Sequence, residues 1–218
     1  SGVTFGNAAE TANSNNSYLN NSIMDGSYAI KIAGSATTQD VNTIISNNFV
    51  DKSGHAGIYV SNQTNPLVSF NDVTGVIATT GGGGSFQTAG IIALGTINGG
   101  LIEKNKIRNV RISGPWGAYG ILLDVTNTNT NLVIANNFIY DIASGGWTGY
   151  DTIDDNGSGI GINKGGGYKI HYNSIDMGSN FTTTNYKAAA IWIGRNIVDG
   201  SLEISNNIFA NRQTTAGA

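Results

Sequence analysis

A short string built around asparagine recurs along this 218-residue chain and limits the folds that the chain can adopt. The string is an apolar residue, two free positions, Asn, one free position, and then Ile, Val or Phe. It occurs seven times, with its asparagine at Asn21, Asn48, Asn71, Asn105, Asn137, Asn173 and Asn207. Self-similarity at intervals of about 20 to 50 residues is typical of solenoids and other repeat architectures.

A second string follows the first six asparagines. It is a small residue, an Ile, one free position and another aliphatic residue, as in 57–60 and 190–193. Both strings alternate with a period of two, and no segment keeps a 3.6-residue apolar period over ten or more residues, so the repeats predict very short strands. Because such strands cannot bury their apolar residues alone, we expect stacked repeats that bury them against the same positions above and below.

The asparagine has two expected roles in such a stack. Each rung needs a sharp corner, and Asn tolerates the left-handed backbone conformation better than any residue but Gly. Its side-chain amide can also hydrogen-bond to the asparagines above and below it. We therefore predict that the seven asparagines form an internal ladder and that they themselves take the left-handed conformation.

The two strings together resemble the repeats of right-handed parallel β-helix proteins of the pectate-lyase-like superfamily, over nearly the whole chain. The resemblance implies an all-β, right-handed, single-stranded parallel β-helix of about seven rungs, forming one domain over residues 1–218. It implies little about function, since the superfamily includes polysaccharide lyases, hydrolases, epimerases, phage tailspikes and bacterial surface proteins. Neither end carries an amphipathic helix as a cap, so we expect a segment of a longer protein or ends capped by a partner.

Insertions are predicted at one corner of the stack. The distance from the ladder Asn to the Ile of the next string is 9 and 10 residues in the first two repeats, then 20, 16, 23 and 18. We expect the four insertions, 75–89, 111–119, 143–158 and 177–189, to protrude along one edge and wall a groove. By alternation Trp192 points outward, so the predicted groove floor is Ile92, Leu122, Gly161 and Trp192, with a notch at Gly161.

Aromatic residues in and beside the insertions are the candidate ligand-binding residues: Trp116, Tyr119, Trp147, Tyr150, Tyr186 and Trp192. Flat aromatic faces beside carboxylates and amides suit sugar rings, whose C–H groups lie on the aromatic face while their hydroxyls bond to polar groups. Packing of the long loops onto the sheet explains the same aromatics equally well.

Asp151, Asp154 and Asp155 form the densest acidic cluster. Oxygen ligands near a glycine turn suit Ca²⁺. However, an EF-hand alignment with Gly157 at the sixth position puts Thr152 where the first Asp is needed and Asn163 where the last Glu is needed. We therefore favour a solvated loop with no metal or cofactor. The three aspartates are the candidates for acid–base catalysis by a carboxylate pair, with Lys187 or Arg111 on the adjacent loops. The catalytic patterns of polygalacturonases and pectate lyases are not reproduced around them.

Composition excludes some classes of binding partner. The 11 Lys and Arg are scattered and the net charge is −3, which argues against nucleic acid, and the longest apolar runs are too short to span a membrane. Low charge and a high content of Asn, Gly, Ser and Thr resemble exported bacterial repeats. We therefore expect a non-catalytic module of a secreted or cell-surface bacterial protein that presents an aromatic loop edge to a polysaccharide, a surface glycan or other domains of its parent protein. The alternative is a polysaccharide lyase or glycoside hydrolase acting on an acidic or neutral polysaccharide.

Overall fold

The fold is known from a computed structural model that describes residues 3–6, 12–79, 87–113, 116–145, 157–179 and 188–213. Across these ranges the regular structure consists of short β-strands in three sheets, in which every paired strand runs parallel to its neighbours. The prediction of an all-β parallel solenoid is confirmed.

The strands are numbered along the chain, and successive strands pass from sheet 1 to sheet 2 to sheet 3. Sheet 1 stacks β1 (Val3–Gly6), β4 (Tyr28–Ala33), β8 (Ala56–Thr64), β12 (Thr88–Asn98), β15 (Ala118–Val125), β18 (Gly157–Gly165) and β21 (Ala189–Ile197), with β5 (Asp40–Val41) also paired to β8. Sheet 2 stacks β2 (Ser17–Leu19), β6 (Ile44–Ser46), β9 (Leu67–Ser69), β13 (Leu101–Glu103), β16 (Val133–Ala135), β19 (Tyr168–His171) and β22 (Leu202–Ser205). Sheet 3 stacks β3 (Ser22–Met24), β7 (Phe49–Asp51), β10 (Asp72–Val73), β14 (Lys106–Ile112), β17 (Phe138–Ser144), β20 (Ser174–Met177) and β23 (Ile208–Asn211), with β11 (Val76–Ala78) also paired to β14.

The repeat predicts about seven equivalent rungs, and that number is too high. About five turns are enclosed between two neighbours. The first strand triplet, β1–β2–β3, and the last, β21–β22–β23, each have a neighbour on one side only. Ile204 and Phe209 of the last triplet are 36% and 38% exposed, whereas their register partners Ile170 and Ile175 are at most 1% exposed.

The core is made of columns of equivalent residues inside the stack. Ile30, Ile58, Ile91, Ile121 and Ile160 pair in register through sheet 1 and are at most 1% exposed. Steric contact between the sheets explains why a small residue precedes each of these isoleucines. A Cβ added to Gly120 would lie 2.3 Å from Ile139 Cγ2, so the close approach of sheets 1 and 3 excludes a side chain there.

The predicted asparagine ladder is confirmed. Asn105 Nδ2 donates to Asn137 Oδ1 (3.0 Å) and to the Val68 carbonyl (2.9 Å), while Asn105 Oδ1 accepts from Asn71 Nδ2 (2.9 Å) and the Asn71 backbone N–H (3.0 Å). The same side-chain bond joins all seven asparagines from Asn21 to Asn207. Each inner amide is thus fully hydrogen-bonded, which offsets the cost of burying it.

The left-handed backbone conformation is adopted by the residue directly before each ladder asparagine. The prediction that the ladder asparagines themselves adopt it is therefore wrong. This preceding residue has a φ between 53° and 58° in every case: Asn20, Asn47, Phe70, Lys104, Asn136, Tyr172 and Asn206. Turning the chain at this position leaves the following Asn aimed into the interior. Phe, Lys and Tyr lack the local hydrogen bonds that make this conformation tolerable for Asn, so three corners carry a conformational cost.

The four insertions all connect sheet 3 to sheet 1. The described chain leaves sheet 3 after β11, β14, β17 and β20 and enters sheet 1 at β12, β15, β18 and β21. The first two such connections, from β3 to β4 and from β7 to β8, span only 25–27 and 52–55. In the part of the chain that the structure describes, no helix is long and apolar enough to cross a membrane.

Replacing Asn137 with Ala tests the ladder. The substitution removes the acceptor of the Asn105 amide and the donor to Asn173 and to the Ile102 carbonyl. Leaving these buried groups unpaired should lower the free energy of unfolding by about 2 to 4 kcal/mol, measured by chemical denaturation. Asn21→Ala is the matched control, because Asn21 is exposed and water can replace its bonds; a loss as small at Asn137 as at Asn21 would contradict the ladder's role.

Replacing Lys104 with Asn should stabilise the fold by about 0.5 to 1 kcal/mol, because Asn adopts the left-handed conformation at lower cost. Lys106→Asn is the control, since Lys106 is also exposed but lies in the extended strand β14. Denaturation curves should shift to higher denaturant for the first variant only. Equal shifts for both would mean that charge, not backbone conformation, causes the gain.

Candidate functional site

The outward column of sheet 1 is the predicted groove floor. Its members pair in register: Lys31, Tyr59, Ile92, Leu122, Gly161 and Trp192. Trp192 belongs to a hydrophobic cluster separate from the main core, so its predicted outward direction is confirmed. Ile92, Leu122 and Trp192 are nonetheless only 3%, 2% and 7% exposed. The prediction that they floor an open groove is wrong, because the outer face of sheet 1 forms a second buried cluster.

The notch predicted at Gly161 is filled by Tyr119. A Cβ added to Gly161 would lie 2.5 Å from the Tyr119 ring carbons Cδ1 and Cε1 and 3.5 Å from Trp192 Cε3. The centroids of the Tyr119 and Trp192 rings are 6.4 Å apart, and Tyr119 is fully buried. Glycine is needed at position 161 because the phenol ring occupies the space of its side chain.

The predicted ligand-binding aromatics do not form one group in the described part of the structure. Tyr119 and Trp192 contact other residues of the outer cluster, and Trp116 is half-buried against the main core. Their role in ligand binding stays a prediction. Three further aromatics and the acidic cluster lie outside the described residues: Trp147, Tyr150 and Tyr186, and the candidate catalytic residues Asp151, Asp154 and Asp155.

Several carboxylates on the described strands are paired with cations. Asp72 bonds to Arg108 and Asp141 to Arg111, in both cases across sheet 3. Asp176 on β20 bonds to Arg212, which directly follows β23, and Lys164 Nζ is 3.2 Å from Asp124 Oδ1 on sheet 1. Within the described ranges no group of three His, Asp or Glu residues is placed to hold a metal ion. These carboxylates link neighbouring strands.

An aromatic and cationic cluster lies on sheet 1 near the first triplet. The Tyr28 ring meets the His55 ring edge to face at 4.8 Å and the Tyr59 ring at 5.6 Å. Lys31 Nζ lies 4.7 Å from the Tyr28 centroid and 5.3 Å from that of Tyr59, within range of cation–π attraction. Burial, and then the positive charge of Lys31, lower the pKa of His55.

A shallow groove of about 290 Å³ lies where sheet 1 passes into sheet 2 in the last three triplets. Lys169 and Glu203, which pair in register on β19 and β22, line it. The buried Tyr168 at its base donates its hydroxyl to the Lys164 carbonyl at 2.8 Å, and burial raises the pKa of this phenol. The groove offers one cation and one exposed carboxylate to a ligand.

Sequence reasoning missed an exposed apolar strip beside the asparagine ladder. Its members each lie within two positions of a ladder asparagine and are 37% to 68% exposed: Leu19, Phe49, Phe70, Phe138, Tyr172 and Ile208. We call this set the ladder-edge strip. It has one residue in every strand triplet except the fourth, where Lys104 Nζ lies 5.0 Å from the Phe70 ring centroid. With about 4.8 Å between strands, the strip runs about 29 Å along the axis.

Amide side chains accompany the rings of the ladder-edge strip. Asn20, Asn47, Asn136 and Asn206 are exposed and stand in the same left-handed column as Phe70 and Tyr172. The Phe138 ring also lies 4.9 Å from that of Tyr140. The sequence contains the signal for this strip, because residues flanking an inward Asn must point outward, and an aromatic residue there is exposed unless another segment covers it.

Acidification should destabilise the fold through His55. Its pKa in the folded chain lies below the ordinary value of about 6.5, so below that pH the unfolded chain binds more protons than the folded chain. The free energy of unfolding should therefore fall as the pH drops through about 6.5. Urea denaturation at about pH 7.5 and 5.5 should show a smaller loss for His55→Gln than for the natural chain; equal losses would contradict this assignment.

Comparisons with known proteins add no family to these observations. No model of a protein family, no curated protein and no solved structure matches the chain. The parallel solenoid and its asparagine ladder therefore rest on the chain's own strands and hydrogen bonds.

Proposed function

We propose that this chain is a non-catalytic binding module that holds an extended polysaccharide along the ladder-edge strip. The observation that carries the proposal is the strip itself, in which four aromatic rings, those of Phe49, Phe70, Phe138 and Tyr172, stay exposed along one edge of a rigid stack. Exposed apolar residues that line up along one edge of a stack are typical of a binding surface.

The chemistry of the strip supports a sugar chain as the ligand. Aromatic faces accept the apolar C–H faces of sugar rings, and the exposed amides of Asn47, Asn136 and Asn206 supply donors and acceptors for hydroxyl groups. Few cations lie near the strip: Lys104, Lys106 and Arg108, the last of which is paired with Asp72. So small a positive charge disfavours a nucleic-acid backbone as the ligand and favours a neutral or weakly acidic glycan.

The shape of the strip favours an elongated ligand. Phe70 and Tyr172 occupy the same column three strand steps apart, and so do Phe49 and Phe138. Each pair is therefore separated by about 14 Å along the axis. A linear chain lying parallel to the axis would reach both rings of a pair, whereas a single sugar would reach one.

The proposal extends to the setting of the module. We infer a secreted or cell-surface bacterial protein related to the pectate-lyase-like superfamily, with surface glycans or other domains of the parent protein as partners. The repeated strings and the low proportion of charged residues, 11%, support this setting. A non-catalytic role is supported by Asp72, Asp141 and Asp176, because their carboxylates are engaged by arginines of neighbouring turns.

Alanine substitutions in the strip test the proposal. Phe70→Ala and Tyr172→Ala should each weaken binding about 5- to 10-fold, since a stacked ring contributes about 1 kcal/mol beyond the area that it buries. The measurement is affinity electrophoresis against a panel of soluble neutral and acidic polysaccharides. Both side chains are more than half exposed, so the thermal melting of the variants should match that of the natural chain.

Ile77→Ala is the matched control, because Ile77 is also about half exposed but lies on β11, away from the ladder. It should bind as the natural chain does. Binding to none of the polysaccharides, or equal weakening by all three substitutions, would overturn the proposal.

A further inference from the structure

The shallow groove where sheet 1 passes into sheet 2 is not used by the proposed function. Its lining comes from three successive turns, in the segments 128–131, 167–169 and 200–203. The groove therefore lies on the lateral surface of the stack. In each of these turns sheet 2 begins at the groove and ends at the ladder-edge strip, so the two surfaces are separate. A volume of about 290 Å³ is at the small end of the range of ligand sites and suits a small molecule.

Two oppositely charged side chains stand next to each other in the groove. Lys169 and Glu203 pair in register on β19 and β22, so their Cα atoms are about 4.8 Å apart, and both residues are exposed. They form no ion pair with each other, and Glu203 Oε1 instead lies 3.8 Å from His171 Nε2. In the described part of the chain no carboxylate pairs with Lys169, so its ammonium group is available to a ligand.

Neutral polar side chains form one rim of the groove. Thr128, Asn129 and Asn131 belong to the turn before that of Lys169, and all three are exposed. Their side chains form no hydrogen bond to another described residue. Each Asn amide offers two N–H donors and one carbonyl acceptor, and the Thr hydroxyl offers one donor. The groove thus adds neutral donors and acceptors to one positive and one negative charge.

Hydrogen bonds beneath these side chains hold the groove in shape. The Gly167 N–H donates to the Ser201 carbonyl at 2.8 Å, and the Lys169 N–H donates to the Leu132 carbonyl at 3.0 Å. The buried phenol of Tyr168 fixes the same strand through its bond to the Lys164 carbonyl. Because the three turns are already tied together, a ligand does not have to order the backbone when it binds.

We propose that this groove binds a small zwitterion, a free α-amino acid, with its carboxylate on Lys169 and its ammonium group on Glu203. The two charged groups of an α-amino acid are joined through one Cα, so the nitrogen and the carboxyl carbon are about 2.5 Å apart. Two long side chains on neighbouring strands can contact both groups at once. The polar side chains of 128–131 supply further hydrogen bonds.

A zwitterion fits these charges better than other small ligands do. A neutral sugar would leave both charges without a partner, and a simple anion or cation would meet one charge of its own sign. A direct pair between the exposed Lys169 and Glu203 would be worth little, so a ligand that pairs with both displaces little. The ligand class differs from that of the ladder-edge strip, and the inference does not rest on the proposed function.

Titration with the standard L-amino acids tests the proposal, followed by NMR from the backbone amide shifts of 167–169 and 201–203. Because the groove is shallow, we expect dissociation constants in the millimolar range. Lys169→Gln and Glu203→Gln should each weaken binding by about 5-fold or more, since each removes a charge-assisted hydrogen bond. Lys52→Gln and Asp25→Asn are the matched controls, because they remove exposed charges far along the chain from the groove, and they should bind as the natural chain does.

Ligand derivatives show which charge each residue meets. The N-acetyl derivative of the strongest-binding amino acid keeps its carboxylate and loses its ammonium group. Lys169→Gln should weaken the binding of this derivative, whereas Glu203→Gln should not. The amide derivative keeps only the ammonium group and should show the reverse dependence.

The proposal fails if none of the amino acids shifts the groove resonances, or if both charge variants bind as tightly as the natural chain. It also fails if glucose binds as well as the amino acids and binds equally to both variants, which would make the groove a neutral-sugar site. Circular dichroism checks that the variants fold, as expected for substitutions of exposed side chains.

Discussion

The hydrogen bond from each ladder asparagine to the next fixes the register on which the molecule depends. Since the Asn105 amide uses both of its donors and both lone pairs on neighbouring turns, a shift of one residue would leave buried polar groups unpaired. With that register fixed, isoleucines meet isoleucines inside sheet 1, and outward residues form equally regular columns. The surface is therefore organised by the same bond that organises the core.

The outer face of sheet 1 shows how that regularity is used. Gly161 has no side chain, which in an isolated strand would weaken packing, but here it receives the ring of Tyr119 from the neighbouring strand. Ile92, Leu122 and Trp192 complete a second apolar layer outside the solenoid. The sheet is thus buried on both faces along part of its length, as parallel sheets usually are. Tyr119 and Trp192, two of the aromatics that the sequence offers as ligand-binding residues, pack in this layer.

The sequence predicts the features that depend on fixed offsets along one strand, but not the features that depend on side chains of neighbouring strands. The ladder positions and the direction of Trp192 follow from alternation along one strand, and both are found as predicted. Residue preference alone places the left-handed corner on the ladder Asn, one residue after its observed position at Phe70, Lys104 and Tyr172. The filling of the Gly161 notch depends on the ring of Tyr119, which lies on the neighbouring strand three positions before Leu122, the register partner of Gly161. No pattern in a single repeat specifies that contact. The exposure of the ladder-edge strip does follow from alternation, because residues that flank an inward Asn point outward.

The fixed strand spacing allows only discrete distances between equivalent side chains along the stack. Any two side chains in one column are separated along the axis by a whole number of steps of about 4.8 Å. Duplicating or deleting one turn between Phe70 and Tyr172 would change their separation by one such step without altering either residue or its corner. Repeat number, and not side-chain substitution, is thus the variable through which a chain of this kind can match the periodicity of a long polymer.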